Sequence, residues 1–311
     1  MKDEKCRKAP LLVFSYNRAD KLRKLLTNIN ELDEAHETDL FIFADGPKDE
    51  MDLDAVRDNR QVAEEFKEYS NFKSLQIYES EKNCGLSVSI RNGVSKVIKQ
   101  YGRVIVLEDD LLVAQDFLKY MNAALDYYEE DRKIWQISGF SLPLKELSNY
   151  DKDVYALKRN CSWGWATWAD RWDTIDWSVS SYRSFSVNPF RRQAFARAGG
   201  QDLPKMLDMQ MRGEINSWAI VHCYEGFRRN GLTVYPKESR VINDGMDGSG
   251  EHFNYFTEMY KTRLSDGYDA VDFCKLEVNN KIDAEFKNYY TIFIIDRLKN
   301  YRNVLLSTIR N

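Results

Sequence analysis

Short apolar runs alternate along the first third of the chain with stretches in which apolar residues recur at helical spacing. The runs LLVF, LFIFA, SLQIY and RVIVL predict strands over 11–14, 40–44, 74–78 and 103–107. Helices are predicted between them, the first by leucines and an isoleucine at positions 22, 25, 26 and 29. Apolar strands separated by helices indicate an α/β protein, with a mostly parallel sheet flanked by helices on both faces.

Polar side chains follow all four predicted strands at the point where each strand ends. Ligands of open parallel sheets bind outside the carboxyl ends of the strands, so these residues are expected at one edge. A single polar strand end is most often an ordinary turn, whereas four together favour a binding site. The candidates are Ser15, Asn17 and Arg18, then Asp45, then Asn83 and Gly85, and finally Glu108, Asp109 and Asp110.

The acidic triplet Glu108–Asp110 is the most distinctive of these strand ends. Because side chains alternate along a strand, Glu108 and Asp110 are expected on one side and Asp109 on the other. Adjacent carboxylates repel each other unless a hard cation shares them, and Mg²⁺ or Mn²⁺ completes its shell with substrate phosphates and water. A metal site is the favoured interpretation. The simpler alternative is that the acids only end the strand before a helix that follows Asp116.

Composition narrows the class of protein. The chain has 311 residues, 43% of them hydrophobic, with a net charge of −4 and a pI near 5.6, which allows one large domain or two small ones. No nucleic-acid partner is expected, because phosphate binding needs a surplus of Lys and Arg. The five cysteines include no CxxC pair, and the first residues lack the pattern of a signal peptide. Both features favour a reduced, cytoplasmic protein.

Two later segments carry further candidate ligands. In CSWGWATW, the faces of Trp163 and Trp165 suit stacking on a sugar and Gly164 allows close backbone approach, although a core of large aromatics is an equal alternative. The segment NDGMDGSGEH interleaves glycines with acids and ends at His252. A neutral imidazole there would ligate a metal or donate to a phosphate, and an ordinary hydrogen-bonding role is the alternative.

Residues 281–311 combine many aromatic and aliphatic side chains with basic residues and few acids. Such a helix suits the interface of an anionic membrane, and equally suits docking on its own domain or on a second subunit. The pattern therefore predicts a domain over 1–260 and a helical extension over 261–311. Peripheral contact of 281–311 with the inner face of the plasma membrane and an oligomer contact both stay open.

Taken in order, the motifs LLVFSYNR, FADGP, KNCGLSVSIRNG, RVIVLEDDLLVAQDFLKYMNAAL, WQISGF and CSWGWATW resemble those of nucleotide-sugar glycosyltransferases with the GT-A fold. The pattern is similar to bacterial family two enzymes that share their core with N-acetylglucosaminyltransferase I, over roughly residues 10–253. The resemblance implies a Rossmann-like sheet, Mn²⁺ or Mg²⁺ as cofactor, and a nucleotide-sugar donor, with UDP expected. It also implies a glycan or lipid-linked glycan acceptor, in the context of a bacterial surface polysaccharide.

The resemblance further assigns residues to the donor site. Arg18 and Asp45 are expected at the base or diphosphate end of the donor, with Ser15, Asn17 and Gly85 in the same loops and with Ser89 and Arg91 nearby. Asp110 matches the usual metal ligand, Asp109 the residue that faces the ribose or sugar, and Glu108 completes the acidic motif. The segment with Trp163, Gly164 and Trp165 is similar to the loop that faces the sugar and the acceptor, and His252 is the second metal candidate.

An inverting transferase needs a carboxylate that removes the proton of the acceptor hydroxyl. At the usual position this chain has Asn216, which is a poor base. Glu214 is the nearest acid and the first candidate, with Asp244, Asp247 and Glu251 of the glycine-rich segment as alternatives. Two other classes stay open. A sugar nucleotidyltransferase would usually carry a glycine- and lysine-rich phosphate loop that SYNRADKLRK lacks, and a non-catalytic sugar-binding protein would have no need of the acidic triplet.

Overall fold

An eight-stranded mixed sheet forms the centre of the protein, which is described from a computed structural model. The structure describes residues 8–245, 260, 262–267 and 270–290. The strand order is β3-β2-β1-β4-β8-β6-β9-β7, where β7 and β8 run antiparallel to their neighbours and the rest are parallel. The strands are β1 (Leu11–Ser15), β2 (Asp39–Ala44), β3 (Ser74–Glu79), β4 (Arg103–Glu108), β6 (Ile134–Ser138), β7 (Val154–Leu157), β8 (Trp165–Trp168) and β9 (Leu232–Pro236). The predicted α/β class with a mostly parallel sheet is confirmed.

A small second sheet lies immediately after the acidic triplet. Its strands β5 (Leu111–Val113) and β10 (Val241–Asn243) pair antiparallel, with Asn243 opposite Leu111. The backbone N–H of Asp244 donates to the carbonyl of Asp110 at 2.7 Å and extends this pairing. Residues far apart in the sequence therefore meet at the end of β4.

Helices cover both faces of the central sheet. They are α1 (Ala19–Asn30), α2 (Leu53–Phe66), α3 (Leu86–Tyr101), α4 (Phe117–Tyr127), α5 (Ala169–Trp172), α6 (Tyr182–Ser186), α7 (Pro189–Gly199), α8 (Leu203–Met211), α9 (Trp218–Arg228) and α10 over 280–290, with 3-10 turns at Ala35–Glu37, Glu50–Asp52 and Lys145–Asn149. The predicted repeat in α1 is buried against the sheet, because Leu22, Leu25 and Ile29 have no exposed surface.

Two apolar cores result, one on each face of the sheet. The first lies under α1, α2 and α4, and the second under α3, α9 and the helices from α5 to α8. Because side chains alternate along a strand, adjacent residues of β1 enter different cores: Leu11 and Val13 enter the first, whereas Leu12 and Phe14 enter the second. This explains the uninterrupted apolar runs of the sequence.

The start of the predicted C-terminal extension is packed on the domain. Phe286 on α10 is buried and its ring lies 5.7 Å from that of Tyr235, while Glu285 accepts hydrogen bonds from the backbone N–H groups of Lys145 and Glu146 at 2.9 Å. Residues 280–290 therefore dock on the domain of their own chain. Residues 291–311 lie outside the described part of the chain. Within the part described, no helix combines the length and the apolar character needed to cross a bilayer.

Candidate active site

The carboxylate of Asp45 joins two loops at the carboxyl ends of β2 and β3. Asp45 is buried, and its Oδ1 accepts hydrogen bonds from the backbone N–H groups of Gly46 at 2.9 Å and Cys84 at 2.8 Å. Its Oδ2 accepts from the N–H of Gly85 at 2.9 Å. Gly85 has a φ of +75° at the start of α3, a conformation that favours glycine. Asp45 and Gly85 therefore lie together, as the sequence predicts, and they fix the two loops before any ligand binds.

Arg18 bridges two carboxylates of the acidic triplet. It lies at the end of the β1 loop, directly before α1, and its guanidinium donates to Asp110 Oδ2 at 2.9 Å and to Asp109 Oδ1. Asp109 is almost fully buried, and the side chains of Asp110 and Arg18 are only partly exposed. The structure thus brings together residues of the first and fourth strand ends, 92 positions apart in the chain.

The triplet carries more negative charge than Arg18 neutralises. Burial, followed by repulsion from Asp110 and Asp109, raises the pKa of Glu108 to about 8. Burial also raises the pKa of Asp109 to about 6, against the opposing attraction of Arg18. Elevated carboxyl pKa values show that the negative charge is costly here, and a bound cation would relieve that cost.

Two lysines of α1 hold the end of β10 against the triplet. Lys21 Nζ donates to the carbonyl of Asp244 at 2.7 Å, and Lys24 Nζ donates to its Oδ1 at 2.7 Å. Burial alone would raise the pKa of Asp244, but these two ammonium groups lower it below its usual range. A β-carbon on Gly245 would lie 2.5 Å from Asp110 Oδ2, so glycine is needed for this close approach. Sequence reasoning missed Lys21 and Lys24, since nothing local in the sequence indicates a contact across 220 positions.

Several predicted donor residues lie near this edge in supporting roles. Ser15 is buried and its hydroxyl donates to Asn59 Oδ1 at 3.0 Å, while Asn17 hydrogen-bonds Asp52. Ser89 lines a cleft of about 200 Å³ that also reaches Asp45. Arg91 instead places its guanidinium 4.8 Å from the ring centre of Trp177.

Two residues of the tryptophan-rich segment lie in the core, which is the alternative that the sequence left open. Trp165 has no exposed surface and stacks on Trp218 and Trp172, with ring centres 4.6 and 5.7 Å away, so it is a core residue of the described structure. Gly164 has a φ of +59°, and a β-carbon there would lie 2.6 Å from Val241 Cγ2. The space that a side chain at position 164 would need is therefore filled by the protein itself.

Trp163 differs from these two neighbours because it is only partly buried. Its ring packs edge-on against Phe140 and Tyr260, with ring centres 4.7 and 5.4 Å away. Trp163 is thus the one aromatic residue of the predicted loop motif, Trp163–Trp165, that keeps exposed surface for a ligand.

The candidate bases are held in different ways. Glu214 is exposed after α8, and its hydrogen bond with Arg212 lowers its pKa. Asn216 lies closer to the donor loops, because its Nδ2 would be 3.4 Å from a β-carbon on Gly85. Asp244 is bound by two lysines, as described above. Asp247 and His252 lie outside the described part of the chain.

The oxygen ligands of the triplet suit Mn²⁺ or Mg²⁺, although they do not form a complete cage. Within the described residues, no group of three or more His, Cys, Asp or Glu side chains is arranged to hold a metal ion. This is consistent with a hard cation that takes one or two carboxylates and completes its shell with phosphates and water. Asp110 is the most suitable ligand, since its carboxylate is partly exposed at the end of β4.

The described geometry is a mostly parallel sheet whose central strand ends in an acidic triplet, beside a second strand-end carboxylate that joins two loops. The family model identifies the class of this chain as a nucleotide-sugar glycosyltransferase with the GT-A fold. The chain belongs to the GNT-I family, whose family model matches residues 2–194. A search of curated protein sequences finds no significant match.

Among solved structures, the chain is similar to the mannosyltransferase PcManGT from Pyrobaculum calidifontis in complex with GDP-Man and Mn²⁺, at 12% identity and a TM-score of 0.40, over 70% of this chain and 73% of that one. It is also similar to the galactosyltransferase LgtC in complex with donor and acceptor sugar analogues, at 10% identity and a TM-score of 0.38, over 72% of each chain. A putative glucose-1-phosphate thymidylyltransferase from Bacillus anthracis matches at 10% identity and a TM-score of 0.40, over 76% of this chain and 90% of that one. Membership of the family rests on the family model and not on these distant likenesses.

Proposed function

We propose that the protein transfers a sugar from a UDP-sugar to a hydroxyl group of a glycan or lipid-linked glycan, with inversion and with a divalent metal ion. The observation that carries this proposal is the meeting of Arg18, Asp109 and Asp110 at the end of β4. These groups supply one fixed cation and several carboxylates at the edge of the sheet where the loops held by Asp45 also end. A nucleoside diphosphate needs this combination, because its phosphates bind cations both directly and through a shared metal.

The chain's own residues contribute binding and orientation. Asp45 keeps the loops after β2 and β3 in place for the nucleoside, and Trp163 offers a partly exposed ring for a sugar. Asp110, with Asp109 beside it, would hold Mn²⁺ or Mg²⁺. Such an ion, when bound, neutralises the diphosphate as it leaves.

In the reaction, the acceptor oxygen forms a bond to the anomeric carbon on the face opposite the diphosphate. The bond between that carbon and the diphosphate oxygen breaks, and the nucleoside diphosphate leaves with the electron pair. The acceptor proton passes to a carboxylate of the enzyme. We retain Glu214, Asp244 and Asp247 as candidates for that base. Glu214 and Asp244 have cationic partners that stabilise the charged form, which makes each a weaker base than an unpaired carboxylate.

The test of the site compares Asp110→Asn with a matched control, Asp126→Asn. Asp126 pairs with Arg103, which is the first residue of β4, whereas the proposed site lies at the other end of that strand. Asp126→Asn therefore removes one carboxylate near β4 but none from the proposed site. We expect Asp110→Asn to lower the release of UDP from a panel of UDP-sugars by at least about a hundredfold, since a metal contributes several kcal/mol to stabilising the leaving charge. Calorimetric titration with Mn²⁺ should show weaker binding to Asp110→Asn and unchanged binding to Asp126→Asn.

Full turnover and full Mn²⁺ affinity in Asp110→Asn would refute the site. Release of pyrophosphate from a nucleoside triphosphate and a sugar phosphate would show a nucleotidyltransferase instead. For the base, Glu214→Gln, Asp244→Asn and Asp247→Asn are compared at saturating donor and acceptor. The base variant should lose kcat with little change in the KM of the donor, and retention of kcat by all three variants would exclude all three residues.

A further inference from the structure

Two large apolar side chains, three positions apart in the sequence, are exposed where α6 leads into α7. Val187 is 79% exposed and Phe190 is 84% exposed. The opposite face of α7 is well packed, with Phe195, Ala196 and Ala198 buried. The exposure of Val187 and Phe190 is therefore a local feature of this corner and not a sign of a poorly packed helix.

The same corner is strongly basic in an acidic protein. Residues 182–199 contain four arginines and no acidic residue, although the whole chain has a net charge of −4. Arg192 pairs with Asp208 of α8 at 2.7 Å, whereas Arg183, Arg191 and Arg197 are exposed and have no acidic partner in the described part of the chain. Phe190 and Arg197 share one face of α7, since they lie seven positions apart, and Arg191 follows Phe190 directly in the sequence. We refer to Val187, Phe190 and these three unpaired arginines as the α6–α7 corner.

The charge of the corner favours some occupants over others, and the sequence of the chain's own C-terminal segment gives one comparison. Lys287 of α10 donates to the carbonyl of Arg197 at 3.0 Å, so residues 291–311 continue from a helix beside the corner. That segment contains four basic residues and one acid, Asp296. Three unpaired arginines repel a basic segment and attract an anionic surface, so an anionic occupant complements the charge of the corner.

We propose that the α6–α7 corner docks on an anionic lipid surface. The arginines would contact the headgroups, and Phe190 and Val187 would enter the boundary between headgroups and acyl chains. A soluble anionic polymer would explain the arginines but not the two exposed apolar side chains. The corner is a second candidate for membrane contact, beside the one expected over residues 281–311.

The test measures binding of the full chain to vesicles of phosphatidylcholine with about a third phosphatidylglycerol, and to vesicles of phosphatidylcholine alone. We expect binding to the anionic vesicles that weakens as salt is raised. Val187→Ser/Phe190→Ser should reduce the partition coefficient by about tenfold or more, since two apolar side chains lose their burial. Arg183→Gln/Arg191→Gln should reduce it by a similar factor.

Met51→Ser is the matched control. Met51 is 88% exposed, but it is surrounded in sequence by Asp49, Glu50, Asp52 and Asp54, so its removal should leave vesicle binding unchanged. The surface variants should unfold like the native chain in urea, because the replaced side chains are exposed.

Undiminished vesicle binding in Val187→Ser/Phe190→Ser would overturn the proposal, and so would an equal loss in Met51→Ser. A self-association of the native chain that the Val187→Ser/Phe190→Ser variant abolishes, without vesicle binding, would assign the corner to a second copy instead. UDP release from soluble substrates should be unchanged in the corner variants, so that a failure of this proposal is distinguishable from a failure of the proposed function.

Discussion

Substitution of Gly164 by alanine should destabilise the protein by about 3 kcal/mol, with two separable causes. With a φ of +59°, Gly164 has a left-handed conformation, which costs an L-residue about 1–2 kcal/mol. The new β-carbon would also lie 2.6 Å from Val241 Cγ2, well inside the separation of about 3.5–4.0 Å that carbon atoms prefer. Overpacking of this kind costs about 1–3 kcal/mol.

The two causes are separated by a double-mutant cycle measured by urea unfolding. In a Val241→Ala background the clash is removed, and Gly164→Ala should then cost only about 1–2 kcal/mol for its backbone conformation. Gly102→Ala is the control for that part, because Gly102 has a φ of +77° and a β-carbon there would meet nothing within 4 Å. Equal costs of Gly164→Ala in both backgrounds would refute the packing argument. An unchanged free energy of unfolding with a raised donor KM would restore Gly164 as a ligand contact.

Two further predictions concern the buried polar residues of α9. Burial lowers the pKa of His222 to about 3, so below the unfolded pKa of about 6.5 only the unfolded state takes up the proton. In urea unfolding, the native chain should therefore lose about 2 kcal/mol more stability than His222→Gln between pH 7.5 and pH 5. Equal losses in the two proteins would show that His222 is not the cause of the pH dependence. Glu225 is fully buried and accepts hydrogen bonds from Arg228 and Arg229 at 2.7 and 2.5 Å. Glu225→Gln should therefore lower the free energy of unfolding, measured in urea, by about 2 kcal/mol. An unchanged free energy of unfolding would show that the arginines find other partners.

The parallel half of the sheet could be predicted from the sequence because each strand is a local apolar run and each following helix has a local repeat. The positions of Arg18, Asp45 and the triplet follow from the same rule, since the carboxyl ends of parallel strands share one edge. The antiparallel strands β7 and β8 and the pairing of β5 with β10 were not predicted. These depend on contacts between residues far apart in the chain, such as Asn243 with Leu111, and short strands carry little pattern of their own.

The sequence left two interpretations of the tryptophan-rich segment open for a related reason. A tryptophan suits a sugar-binding surface and an apolar core equally well, and its sequence neighbours do not decide between them. The side of β8 on which a tryptophan lies determines its environment. Trp165 points into the core under α9, where Trp218 and Trp172 stack on it. Only the tertiary packing distinguishes Trp165 from the partly exposed Trp163 two positions earlier.

Strand-end acids of this protein have two different physical roles. The carboxylate of Asp45 accepts three backbone hydrogen bonds, so its charge is already compensated by the loops that it joins. The triplet at the end of β4 has Arg18 as its directly bonded cation, while burial, with repulsion within the triplet, raises the pKa values of Glu108 and Asp109. Asp45 therefore holds the two loops in one arrangement, and under the proposed function this preorganisation would lower the cost of ordering them when a donor binds. A cation at the triplet would favour the ionised forms of its acids, and under the proposed function the same cation would neutralise the diphosphate of the donor.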